Sequence, residues 1–238
     1  MISVCIATFN GERFIEVQLR SILQQLKSDD EIIISDDGST DKTIEIASNM
    51  QDSRIKILQH NKEIKKHSYL MVTRNLENAL YHAKGDYIFL ADQDDEWLPG
   101  KVEKCIQNLE SSDLVLHDCI VVDEVLQVLA PSYFHLNKSN PGMISNLVSN
   151  AYLGCCMAFK RAVLQQSLPI PAVPHDIWIG LIAEYYGKVK FIDSKLLHYR
   201  RHGNNLSPSA EKSPNTLTRK LWYRTQILYF FCKRIILP

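Results

Sequence analysis

Short apolar runs alternate with amphipathic stripes along the first half of the chain. That alternation limits the available folds more than any other feature. Ile2 to Ala7 is an apolar run of strand length. Ile15, Leu19, Ile22, Leu23 and Leu26 then recur at i, i+4, i+7, i+8 and i+11, the stripe of an amphipathic helix. Glu31 to Ser35 predicts a second strand closed by Asp36-Asp37-Gly38, after which Ser39 or Thr40 can cap a helix running to about Met50. Arg54 to Leu58 predicts a third strand, and the basic stretch from His60 to His67 a loop. Val72, Leu76, Ala79, Leu80 and Ala83 repeat the helical stripe, Gly85 stops it, and Tyr87 to Ala91 is a fourth strand. Pro99, placed in a first helical turn, starts a helix through Leu109. Strands and helices alternating at these lengths specify an α/β fold with a largely parallel sheet.

The second half is less regular. Asp113 to Val122 predicts one strand or two, Pro131 to Pro141 a loop, Met143 to Ser149 a short helix and Met157 to Lys160 an edge strand. Asp176 to Tyr186 predicts a helix, with strands at Lys188 to Ile192 and Lys195 to Tyr199. No repeat and no linker divides the chain before the tail that follows Ser207.

The 238 residues carry 27 bases and 27 acids, a formal net charge of zero, which argues against a nucleic-acid binder. Six of the bases (Lys212, Arg219, Lys220, Arg224, Lys233 and Arg234) lie in a tail with no acid, so residues 1–211 are net acidic. On a helical wheel Leu217, Leu221, Leu228, Cys232 and Ile235 share one face of that tail, with Trp222, Tyr229 and Ile236 flanking it and most bases opposite. A basic amphipathic helix with interfacial aromatics suits an anionic membrane surface; docking on the body or a homodimer contact are the other readings. The six cysteines form no CxxC pair, and Cys5 and Cys119 sit inside apolar runs, which predicts reduced thiols in a reducing compartment. No basic n-region opens the chain and no apolar run nears the ~20 residues of a membrane span.

Two acidic clusters fall at the carboxyl ends of predicted strands, where open α/β sheets bind ligands: Asp36-Asp37 and Asp92-Gln93-Asp94-Asp95. The first is equally readable as a turn. In the second, three carboxylates within four residues repel one another unless a cation or strong donors are present. A hard divalent ion bridging one or two of them to a diphosphate relieves that repulsion. No Gly-rich phosphate loop occurs, so a diphosphate here needs a metal rather than a helix N-terminus.

The segments Ser3-Val4-Cys5-Ile6-Ala7-Thr8-Phe9-Asn10-Gly11, Ile33 to Asp41 and Gly85 to Pro99 resemble the successive motifs of family 2 glycosyltransferases. Gly154 to Phe159, His175-Asp176-Ile177-Trp178 and Tyr199 to Asn205 extend the resemblance over roughly residues 1–206, most closely to bacterial rhamnosyltransferase-type members. It implies an inverting, metal-dependent enzyme of GT-A fold, a Rossmann-like α/β/α sandwich. Ala7, Thr8 and Phe9 would line the nucleotide pocket, with Asp37, and Asp36 beside it, on the base. Asp92-Gln93-Asp94 would be the DxD motif: Asp92 facing ribose or sugar, Asp94 binding Mn²⁺ or Mg²⁺. Asp95 would hold the loop or touch the donor sugar, Asp176 would be the general base, and His202 would approach the metal or diphosphate. The stretch Glu63 to Ser68 departs from the family's short turn and carries no assigned donor contact.

The expected organisation is a transferase domain over 1–208, with about 1–110 for the donor and about 111–208 for the acceptor, then a tail over 209–238. The expected partners are a nucleoside-diphosphate-sugar, with dTDP-rhamnose, UDP-hexose or UDP-N-acetylhexosamine as donors, and a lipid-linked or growing bacterial surface glycan. The expected place is the cytoplasmic face of the cell membrane. A nucleotidyltransferase or a non-catalytic sugar-nucleotide binder are the alternatives. His60, His67, His82, His117, His135 and His198 lack metal-ligand spacing. Trp97 and Trp178 are assigned to loop packing, with sugar stacking as the second reading. Gly154-Cys155-Cys156 is expected to form a tight turn on the acceptor side.

Overall fold

The structure is a computed structural model that describes residues 1–60, 68–203 and 216–236. The basic stretch 61–67, Asn204 and Asn205, Lys212 and the 208/209 boundary lie outside the described residues. In the first half, β1 (Ile2–Thr8), α1 (Ile15–Leu23), β2 (Glu31–Asp36), α2 (Thr43–Asn49), β3 (Ile55–Gln59), α3 (Ser68–His82) and β4 (Tyr87–Ala91) follow one another. The order β3-β2-β1-β4 is parallel throughout, because a helix lies between each of these strands and the next along the chain and returns it across the sheet. The near-continuous Ile and Val runs of β1 and β2 suit strands covered on both faces, and they are buried along almost their whole length. Ile15, Leu19 and Ile22 bury the apolar stripe of α1 as expected.

The chain leaves β1 toward β2 on one side and returns to β4 on the other. The carboxyl ends of β1 and β4 therefore form a topological switch point, the crevice where open sheets bind ligands. Both acidic clusters end strands at this edge. This half is wholly parallel and the rest of the sheet mixes parallel with antiparallel pairs, so the sheet is largely parallel as expected.

The rest comprises β5 (Glu96–Trp97), α4 (Lys101–Leu109), β6 (Leu114–Val122), β7 (Val128–Ala130), α5 (Tyr133–Asn137), α6 (Met143–Val148), a single 3₁₀ turn at Gly154–Cys156, β8 (Met157–Lys160), α7 (Arg161–Ser167), α8 (His175–Tyr186), β9 (Val189–Arg200) and α9 (Leu217–Ile236). Here β8 runs antiparallel between β4 and β6, β9 parallel to β6, and β5 antiparallel to β9. The predicted edge strand at 157–160 is thus interior, as befits a run whose Met, Ala and Phe are all buried. The two strands predicted over 188–199 are one: register skips from His117↔Ile192 to Asp118↔Lys195, so Asp193 and Ser194 bulge while the strand continues.

Other boundaries move for local reasons. Lys42 rather than Ser39 or Thr40 takes the cap position of α2, and Asp41 just before it accepts at Oδ1 from Thr43 N at 3.0 Å. Gly100, at φ 83°, precedes α4, so Pro99 lies outside the first turn instead of in it. The predicted loop 131–141 contains α5, because Ser132 Oγ caps it from His135 N at 3.0 Å and Asp118 holds Ser132 Oγ and Phe134 N at 2.6 and 2.9 Å.

Candidate active site

At the carboxyl ends of β1 and β4, Gln93 ties the β1 turn to the acidic loop. Its Oε1 accepts from Thr8 Oγ1 at 2.5 Å and Phe9 N at 3.0 Å, and its Nε2 donates to Phe9 O at 3.1 Å. Thr8 is buried, Ala7 partly so, and Phe9 lies open to solvent beside them. Asp36 uses both oxygens within its own turn: Gly38 N and Ser39 N reach Oδ2 at 3.0 and 2.9 Å, and Ser39 Oγ reaches Oδ1 at 2.5 Å. Gly38 adopts φ 80°, which only glycine takes without strain, so this carboxylate shapes the turn. Asp37 is free of that task. Its backbone N donates to Thr8 O at 3.0 Å and its Oδ1 lies 2.9 Å from His60 Nδ1.

The acidic loop between β4 and β5 is held from three directions. Gln18 Nε2 donates to Asp92 O at 2.7 Å from α1. Arg200, at the end of β9, donates from its backbone N to Asp95 Oδ1 at 2.9 Å, from Nε to Asp94 O at 2.8 Å and from Nη1 to Glu124 O at 2.8 Å. His202 Nε2 lies 2.7 Å from Asp94 Oδ2, and its ring stacks on Phe14 at 5.1 Å. Asp95 is fully buried, and among the described residues its second oxygen has no hydrogen-bond partner. Of the two roles the resemblance offers Asp95, this geometry supplies the loop-holding one.

The electrostatics match the crowding. Burial, and then the charges of Asp94 and Asp176, push the Asp92 carboxyl up to about 7. Burial with the charges of Asp94 and Asp92 raises Asp95 well above the carboxylate range. A buried lysine moderates this: Lys101 Nζ donates to Cys155 O at 2.8 Å, lies 4.1 Å from the Trp97 ring centre, and favours the charged form of Asp92. An orphaned buried oxygen amid mutually repelling carboxylates fits a site built for a cation. Oxygen atoms of Asp92 and Asp95 also lie within 4.8 Å of the Cys155 sulfur. All six cysteines are free thiols, five of them buried.

In the second half of the chain Asp176 stands in the first turn of α8. Pro174 occupies the cap position without a side-chain bond, so Asp176 is not the helix cap. Asn150 Nδ2 donates to its Oδ2 at 3.3 Å, and Ile177 N lies 2.7 Å from its Oδ1. His175 packs beside the tight turn: a Cβ on Gly154 would sit 2.9 Å from His175 Nε2, so the turn needs glycine there. Trp97 and Trp178 pack rather than offer a face to sugar. Trp178 is fully buried with Nε1 on Ser167 O at 2.8 Å, and Trp97 is buried against Phe89.

Gln18, Lys101 and Arg200 were not singled out from the sequence. The first two did leave a trace, as polar residues on otherwise apolar stripes: Gln18 between Ile15 and Ile22, Lys101 in line with Cys105 and Leu109. Arg200 lies inside a motif that the resemblance had already marked, with no role attached.

Comparison with known proteins bears on the fold and the family. The dTDP-rhamnosyl transferase RfbG of Shigella flexneri is 28% identical over 93% of this chain and 81% of its own length. A UDP-Glc:α-D-GlcNAc-diphosphoundecaprenol β-1,3-glucosyltransferase, WfaP of Escherichia coli, is 36% identical over 47% of this chain and 42% of its own. In fold, S. aureus TarS 1–349, solved with UDP-GlcNAc, matches at a TM-score of 0.69 and 18% identity, covering 98% of this chain and 72% of that one. Glucosyl-3-phosphoglycerate synthase of Mycobacterium tuberculosis, solved with Mn²⁺, UDP and phosphoglyceric acid, matches at 0.59 and 19%, covering 100% and 79%. The fold is that of the GT-A glycosyltransferases. The family model Glycosyl transferase family 2 matches residues 3–168, most of the chain, and the chain is a glycosyltransferase belonging to that family.

Proposed function

We propose that this enzyme moves one sugar, with inversion, from a nucleoside-diphosphate-sugar to a hydroxyl of a lipid-linked bacterial surface glycan. The observation that carries the reading is the meeting of Asp94 and His202, 2.7 Å apart, in a crevice whose Asp92 also feels the charge of Asp176. One wall thus gathers groups suited to a diphosphate, and another presents a carboxylate suited to an acceptor. The rhamnosyl and glucosyl transfers named for the relatives support dTDP-rhamnose or a UDP-sugar as donor, and a diphosphate-lipid-linked glycan as acceptor.

In this reading Ala7, Thr8, Phe9 and Asp37 line the nucleoside pocket and Asp92 faces ribose or sugar. Asp94 and His202 would hold Mn²⁺ or Mg²⁺, which would supply Lewis-acid stabilisation of the leaving diphosphate. Asp95 fixes the loop. Asp176 takes the acceptor hydroxyl proton as that oxygen attacks the anomeric carbon opposite the diphosphate. Residues 1–208 act as one transferase unit, about 1–110 serving the donor and about 111–208 the acceptor, with 209–238 as a tail that rests on anionic lipid at the inner membrane face.

The test is donor hydrolysis and transfer across dTDP-rhamnose, UDP-glucose and UDP-N-acetylglucosamine. Activity should vanish with EDTA and return with Mn²⁺ or Mg²⁺. Asp94→Ala should lose most activity while keeping its melting temperature, since removing one of several crowded charges relieves repulsion. Full activity in EDTA overturns the metal assignment.

A further inference from the structure

The His60–Asp37 contact lies at the carboxyl end of the sheet and takes no part in the transfer chemistry. His60 follows β3 directly, and its backbone N donates to Asp36 O at 2.8 Å, so its position is set by the strand ladder itself. From there Nδ1 reaches Asp37 Oδ1 at 2.9 Å. Facing a carboxylate, Nδ1 is the donor. Both side chains are largely shielded, with 19% of His60 and 6% of Asp37 exposed. The Asp37 backbone is fixed as well, through its N–H on Thr8 O at 3.0 Å. Asp37 therefore has a fixed backbone, one oxygen engaged by an imidazole, and Oδ2 for any incoming base.

Nucleobases differ in what they ask of a carboxylate. Uracil and thymine present a single N–H donor, N3–H, between two carbonyls, and one carboxylate oxygen satisfies it. Guanine presents adjacent N1–H and N2–H donors that pair with both oxygens at once. Cytosine presents an acceptor at N3, which a carboxylate repels. A carboxylate with one oxygen committed serves the first class and serves guanine poorly, leaving one of guanine's donors without an equal partner in a partly dry site.

We propose that His60 is a positioning residue that sets donor specificity: by engaging Asp37 Oδ1, it restricts the site to uracil and thymine nucleotides and discriminates against guanine. The proposal rests on the reading that Asp37 faces the donor base.

Calorimetric titration of the full chain with UDP, dTDP, CDP and GDP, in Mn²⁺, tests it. The wild type should bind UDP and dTDP and disfavour both GDP and CDP. His60→Ala should hold UDP affinity within a few-fold and narrow the UDP-to-GDP ratio by about tenfold or more, with CDP still rejected. His60→Leu, which keeps apolar bulk at the strand end and lacks the donor, should behave alike and guards against a packing defect in the alanine variant. His60→Asn returns a donor near the Nδ1 position and should restore the ratio. A merely structural role would weaken all four nucleotides together and leave their ratios fixed. If Asp37→Ala weakens UDP binding while both donorless His60 variants keep the wild-type ratio, the proposal is overturned and the reading of Asp37 stands. If Asp37→Ala leaves UDP affinity unchanged, the reading of Asp37 fails, and the proposal fails with it.

Discussion

At the scale of single residues, the base assignment depends on whether Asp176 matters as a charge or as a hydrogen-bond acceptor. The cap position of α8 belongs to Pro174, so the stability that a capping aspartate would contribute, about 1 kcal/mol, is not at stake here. Asp176→Asn keeps an oxygen for Asn150 and removes the basic group. Transfer should fall by roughly 10²–10⁴-fold, while donor affinity and melting temperature barely move. His175 is the competing base. Burial pushes its imidazole below the ordinary range, against the pull of the Asp176 charge. Near wild-type transfer by Asp176→Asn together with loss in His175→Ala would move the role to His175. The same scale shows why some site residues escape sequence reading. Asp94 and Asp176 stand out as acids in unusual company, whereas Lys101 looks like one more surface base until the fold buries it over Trp97.

At the scale of elements, Arg54 joins the turn before β3 to the end of α1. Its Nε and Nη2 donate to Asp52 at 2.9 and 2.7 Å, and its Nη1 donates to Leu23 O and Leu26 O at 3.1 and 2.8 Å, carbonyls that the helix end leaves open. The Arg54 hydrogen bonds hold the Asp52 carboxyl down to about 2. An unfolded aspartate titrates near ~3.9. The native chain therefore binds fewer protons in between, so the pair's stabilisation is complete above about pH 4 and is lost as pH falls toward about 2. Solvent screening limits it to about 1 kcal/mol. Urea unfolding of Arg54→Ala should show lower stability at neutral pH and a shallower decline over that acid window; parallel declines would mean the pair contributes nothing there. Elements such as β1, β2, β4 and α1 were legible because periodicity alone specifies them. By contrast, β5 and β7 are two and three residues long, too short to carry a period, and they exist because β9 and β6 present partners. The Asp193-Ser194 bulge was illegible for the same reason: the sequence breaks there, and only the neighbouring strand keeps β9 whole.

At the scale of the molecule, α9 is turned about its axis relative to the simplest amphipathic expectation. Ile227 and Phe231 are buried against the core, with Ile235 partly buried beside them. Two tail bases serve the same docking: Arg234 donates to Gln166 O at 2.7 Å and lies over the Trp178 ring, and Arg224 donates to Val148 O. Much of the predicted apolar stripe consequently faces away from the body. Leu221 is 51% exposed, Trp222 48% and Leu228 48%, and Ile144 of α6, a helix that contacts α9, is 80% exposed. Arg219 and Lys233 are exposed on the same helix. Among the described residues no helix is long and apolar enough to cross a membrane. An apolar ridge edged by cations suits the surface of an anionic bilayer, and Asn150, which touches Asp176, lies two residues beyond α6. Seated that way, the protein would hold its base close to the plane where a lipid-linked acceptor presents its hydroxyls. Removing the helix is a poor test, because Ile227 and Phe231 belong to the core. Leu221→Ser with Leu228→Ser alters only the outward ridge and should leave the melting temperature unchanged. Arg219→Glu with Lys233→Glu reverses the charge beside it, each base contributing on the order of 1 kcal/mol near such a surface. Sedimentation with vesicles containing anionic phospholipid should pellet the wild type, pellet both variants markedly less, and weaken with added salt. Equal pelleting of the wild type and both variants would remove the ridge from the membrane and leave docking on the body as the helix's role.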